Sequence, residues 1–120
     1  VDHFIAACEN APLTLAEQAP EIQTIKRDNF HTLPKLLSQV TPEPISAEDL
    51  LAIHQRCPIT ILWGENSRTI FTLSSFVASC AIGQNTREKA DAPIGMIQGV
   101  THLLPENDPT KMITEIKRIL

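Results

Sequence analysis

Apolar residues change their spacing twice along this chain. From Asp2 to about Val40 they recur roughly one helical turn apart in short segments: Thr14 to Glu17, Pro20 to Ile25 and Leu33 to Leu37. Pro12, Pro20 and Pro34 each suit a helix start better than a helix interior, because proline lacks the N–H that an interior position must donate. Three or four small helices are therefore predicted. Helices below ~12–15 residues are marginal in water, so these need a surface to pack on. Thr41-Pro42-Glu43-Pro44 follows as a stiff extended connector, since the residue before each proline is pushed out of the helical region.

Past the connector, Ser46-Ala47-Glu48-Asp49 has the form of a capping box and predicts a helix from about Ala47 to Gln55. Ile59 to Trp63 is then a nearly continuous apolar run, rich in β-branched residues and without alternation, which is the pattern of a strand covered on both faces. Gly64 opens it into a polar turn. Leu73, Phe76, Val77, Cys80 and Ala81 fall at i, i+3, i+4, i+7 and i+8, the stripe of an amphipathic helix that faces the strands. Thr72 is placed to cap its start and Gly83 to end it. Asn85 to Ala92 reads as a polar surface connection, and Ile94 to Gln98 as a second short strand. Strand, helix and strand predict a right-handed βαβ unit with the strands adjacent and parallel. Asp108 as N-cap and Pro109 at the first helical position then start a helix whose apolar face is Met112, Ile113, Ile116, Ile119 and Leu120.

The fold class expected is α/β: short helices over residues 1–44, then a βαβ unit and a C-terminal helix over residues 45–120. Two short strands leave each other's outer edges and faces uncovered. The missing neighbours are expected from the remainder of a larger sheet or from a second copy of the chain. Val1 at the start leads us to expect an excised or processed piece.

Composition narrows the function classes. A chain of 120 residues with 42% hydrophobic and 20% charged residues is of ordinary globular make-up. A net charge of −4 with no lysine or arginine cluster offers no footprint for nucleic acid or an anionic membrane, and neither is expected as a partner. No apolar run approaches the ~18 residues of a membrane span. The chain reads as soluble, with a cytoplasmic setting favoured. Cys8, Cys57 and Cys80 match neither a disulfide framework nor a C-x-x-C site and are expected to be buried structural thiols. His3, His31, His54 and His102 show no metal-binding spacing, so no metal and no cofactor are expected.

Trp63-Gly64-Glu65-Asn66-Ser67, Gly99-Val100-Thr101-His102 and Asp108-Pro109 carry a resemblance. Over roughly residues 45 to 120 the chain resembles the C-terminal part of an α/β-hydrolase, which commonly writes its penultimate strand as W-G-x-x-D and its last as G-x-x-H before a D-P helix start. The resemblance implies that His102 is a general base and that the helices of residues 1–44 form a cap, although a plain helical extension fits them as well. It also implies part of an esterase-like enzyme acting on an ester or similar small acyl substrate.

The chain departs from the family pattern twice. Ser67 stands where the motif puts the catalytic Asp, and no G-x-S-x-G nucleophile elbow occurs. Glu65 could take the place of the acid, the acid could follow the preceding strand outside this segment, or it has been lost. The nucleophile and oxyanion hole are expected from the remainder of the hydrolase core. The alternative is a non-catalytic α/β-hydrolase-like module that binds a partner or ligand.

Overall fold

The computed structural model describes residues 2–89 and 93–120. The chain is mostly helical. Its first part holds α1 (Asp2–Glu9), a 3-10 turn at Leu15–Glu17, α2 (Pro20–Asn29), a second 3-10 turn at Phe30–Thr32 and α3 (Leu33–Leu37). Pro20 and Pro34 occupy the first turns of α2 and α3, as their missing N–H favours, whereas Pro12 lies in the loop after α1. Residues 40 to 46, spanning the connector, carry no regular structure.

The strong start and stop signals of the second part act where the local chemistry puts them. The Ser46 hydroxyl accepts the Asp49 N–H at 3.0 Å and starts α4 (Ala47–Arg56). Asp108 accepts the Lys111 N–H at 2.9 Å and, with Pro109, starts α7 (Pro109–Ile119). At the end of α5 (Thr69–Ala81), Gly83 adopts a φ of 77° that glycine alone takes without strain, and its N–H bonds to the Cys80 carbonyl. Thr72 does not cap this helix. It lies inside the first turn, and its hydroxyl bonds back to the Thr69 carbonyl at 3.1 Å.

α5 joins two parallel strands, β1 (Trp63–Gly64) and β2 (Met96–Ile97), with Trp63 opposite Met96 and Gly64 opposite Ile97. The parallel pairing expected from the sequence is present, but each strand is two residues long rather than five. Upstream, Ile61 bonds through both its N–H and its C=O to the side chain of Gln84 and not to the facing main chain, and Ile94-Gly95 forms a turn. The connection expected from Asn85 onward begins in the interior, because Asn85 is buried and its amide bonds Ser79 and Ile94. Residues 90–92 at its end lie outside the described residues.

α5 packs on β1 and on α4, α7 packs on β2, and the four-residue α6 (Leu104–Asn107) packs on α7. Trp63, Ile82, Ile97 and Val100 are buried around the strand pair, and Ile5 and Cys8 are buried on α1. The apolar stripe of α5 is only partly covered. Leu73 and Phe76 line an open groove against Trp63 and Met96, while Ile70, Leu73 and Val77 are each more than half exposed. Of the three thiols, Cys8 is buried, Cys80 half-buried and Cys57 exposed, so the structural reading fails for Cys57.

Candidate active site

The two strands deliver their loops side by side. Glu65 donates its N–H to the Ile97 carbonyl at 3.0 Å, and Asn66 donates to the Val100 carbonyl at 2.9 Å, so pairing of the two segments continues past the strands themselves. Gly64 makes this approach possible. A Cβ at that position would fall well inside contact distance of the carbonyl oxygens of Val100 and Thr101, and main-chain atoms on both sides leave nothing that can yield. The Glu65 carboxylate adds a further tie by accepting the Gly99 N–H at 2.9 Å.

His102 emerges just beyond this junction, exposed to solvent. Its ring stacks on Phe71 from the first part of α5, with centroids 4.1 Å apart and planes 13° from parallel. Aromatic pairs of this kind contribute about 0.5–1.5 kcal/mol beyond their buried area, enough to bias the imidazole toward one orientation.

The residue before His102 is held more firmly. The Thr101 hydroxyl lies 2.8 Å from Glu9 Oε2 and 2.6 Å from Asn107 Oδ1, with one proton between two acceptors. The Thr101 N–H donates to the same Asn107 oxygen at 2.7 Å, and the Asn107 amide donates to Glu9 Oε2 at 3.1 Å. Glu9 is 6% exposed. A buried carboxylate is tolerated where hydrogen bonds replace its hydration, and here those bonds tie α1 to the base of the His102 loop.

Neither Glu65, the candidate acid, nor Ser67, at the motif's Asp position, is bonded to the imidazole. Glu65 is engaged by Gly99. Ser67 is 6% exposed, and its hydroxyl has no hydrogen-bond partner among the described residues. It offers one donor and two lone pairs but no charge with which to stabilise an imidazolium. His54 has a structural task, since its Nδ1 accepts the Ile59 N–H at 3.0 Å where the chain leaves α4. Among the described residues no group of side chains could hold a metal ion, and no helix is long and apolar enough to cross a membrane.

The sequence singled out His102, Glu65 and Ser67 as candidates but not Phe71, Glu9 and Asn107, which the structure places beside the His102 loop. Asn107 carried a faint signal, lying between His102 and the Asp108-Pro109 helix start. Glu9 and Phe71 carried none, because neither stands at a fixed spacing from His102 that any local motif requires. Comparison with family models, with curated proteins and with solved structures gave no match.

Proposed function

We propose that the chain is the C-terminal part of an α/β-hydrolase-like core, and that His102 is its general base in acyl transfer from an ester or similar small acyl substrate. The observation that carries this reading is the junction itself. Two parallel strands joined through a helix end side by side, and an exposed histidine follows the second, stacked on Phe71 and held from below by Thr101. The carboxyl ends of parallel strands are where open α/β sheets place their chemistry.

The imidazole of His102 carries a basic nitrogen that can take the proton from a nucleophilic hydroxyl or thiol as that group bonds to the acyl carbon. It returns the proton to the leaving alkoxide as the carbon–oxygen bond breaks. A water molecule then repeats the sequence and frees the acid. The nucleophile and the oxyanion hole come from the remainder of the core or from another chain, which would also cover Ile70, Leu73 and Val77. In this reading α1 to α3 are the cap. The acid is then Glu65 after release from Gly99, or a carboxylate outside this chain.

Ser67 at the acid position, with no carboxylate among the described residues bonded to the imidazole, favours a second reading in which the module binds a ligand without turnover. Replacing His102 with Ala in the intact protein separates the two. The catalytic reading expects hydrolysis of p-nitrophenyl esters to fall by about 10²-fold or more, with an unchanged circular dichroism spectrum. Turnover within a factor of about three of the parent overturns it.

A further inference from the structure

The carboxylates that the fold brings to the His102 loop are each engaged elsewhere. Glu9 lies against the Thr101 hydroxyl at 2.8 Å and accepts the Asn107 amide at 3.1 Å, and Glu65 accepts the Gly99 N–H at 2.9 Å. In the helices that follow, Glu106 holds the Lys26 ammonium at 2.7 Å, and Asp108 caps α7 by accepting the Lys111 N–H at 2.9 Å. Among the described residues no hydrogen bond reaches either ring nitrogen of His102. What touches the ring is the face of Phe71, with centroids 4.1 Å apart and planes 13° from parallel.

We infer that Phe71 is the positioning residue of His102 and performs the orienting part of the work that a carboxylate does in a catalytic triad. The inference rests on the proposed acyl-transfer role and adds a residue to it. A triad carboxylate fixes the imidazole by bonding one ring nitrogen. A phenyl ring laid over the face fixes the imidazole plane and leaves both nitrogens free to exchange protons with a nucleophile and a leaving group.

The two rings are supported differently. Phe71 closes the first turn of α5, where its N–H bonds to the Arg68 carbonyl at 2.9 Å, and α5 packs on β1. His102 lies in a loop, and its main chain is anchored one residue earlier through Thr101. The anchor places the Cα but leaves the side-chain torsions free, so the stack is what selects the ring orientation. The ordinary strength of an aromatic stack corresponds to a preference of about two- to tenfold for that orientation.

The test replaces Phe71 in the intact protein. Phe71→Leu and Phe71→Met remove the aromatic face with side chains of different shape, and Phe71→Tyr keeps it. With p-nitrophenyl esters, the Leu and Met variants are expected to lower kcat about two- to tenfold with KM within about twofold of the parent, while Phe71→Tyr keeps the parent rate. Proton NMR reads the orientation without turnover. The ring protons of His102, identified by their loss in His102→Ala, should lie upfield in the parent and in Phe71→Tyr and move downfield in the Leu and Met variants.

An unchanged kcat in a folded Leu or Met variant overturns the inference. A higher kcat does so too, because the stack would then be a resting position that the imidazole must leave. A rate lost equally in Phe71→Tyr assigns the effect to packing of α5 and also overturns it. His102 ring protons at the same shifts in the parent and in Phe71→Leu overturn it whatever the activity. A parent without ester turnover, or one matched by His102→Ala, sinks the acyl-transfer reading instead, and the NMR shifts alone then decide whether Phe71 orients the ring.

Discussion

The side-chain amide of Gln84 lies against the main chain of Ile61 as a strand residue would. Its Oε1 accepts the Ile61 N–H at 2.9 Å, and its Nε2 donates to the Ile61 carbonyl at 2.8 Å. The same nitrogen reaches the Ile94 carbonyl at 2.7 Å, so one side chain bridges the two segments that enter β1 and β2. This substitution explains why the main-chain pairing is so short. Asn85 repeats the device one residue on, accepting the Ile94 N–H at 2.7 Å and donating to the Ile94 carbonyl at 2.9 Å.

Gln84→Ala removes three hydrogen bonds at once and leaves the Ile61 N–H and carbonyl without partners, while the Ile94 carbonyl keeps its bond from Asn85. At about 1 kcal/mol for each bond, a loss of roughly 2–3 kcal/mol is expected. Thermal unfolding should show Tm lowered by about 10 °C for a chain of this size. A Tm within about 2 °C of the parent would show that water or a neighbouring group replaces the amide without cost.

Glu9 and Thr101 are 92 residues apart in sequence, yet their bond sets the position of the His102 loop. Glu9→Ala leaves the Thr101 hydroxyl and the Asn107 amide with fewer partners, costing about 1–3 kcal/mol of stability. If His102 acts as proposed, Glu9 is a positioning residue. Its loss should lower kcat by up to about 10²-fold with little change in KM. Glu9→Gln keeps an acceptor oxygen and should recover most of the rate. Equal rates in Glu9→Ala and the parent would limit the residue to a structural role.

Glu115 links stability to pH. The Arg118 guanidinium, followed by the Gly95 N–H, holds its carboxyl below the usual carboxylate range, against burial that acts the other way. A carboxyl depressed in the folded state stabilises the protein above its unfolded value of ~4.3, and that contribution is lost as pH falls through the folded value. Urea unfolding of the parent and of Glu115→Gln should therefore differ at pH 7, and the difference should shrink as the pH falls below ~4.3. A difference that persists unchanged at pH 3 would rule out the ionised carboxylate as its source.

The amino-acid sequence by itself determined the features that depend on neighbours along the chain. The Ser46 cap, the Asp108-Pro109 start and the Gly83 stop each involve groups within a few residues, so residue type and spacing were sufficient. The parallel pairing was legible too, because a strand, a crossover helix and a strand have few other ways to pack. Tertiary structure alone decided the rest. The bridge from Gln84 to Ile61 and Ile94, the stacking of Phe71 on His102 and the anchoring of Thr101 by Glu9 join residues with no periodic relationship. The apolar stripe of α5 marks the limit between the two. Periodicity shows that one face of a helix is apolar, but what covers Leu73 and Val77 depends on atoms from elsewhere, and a three-dimensional arrangement alone specifies those.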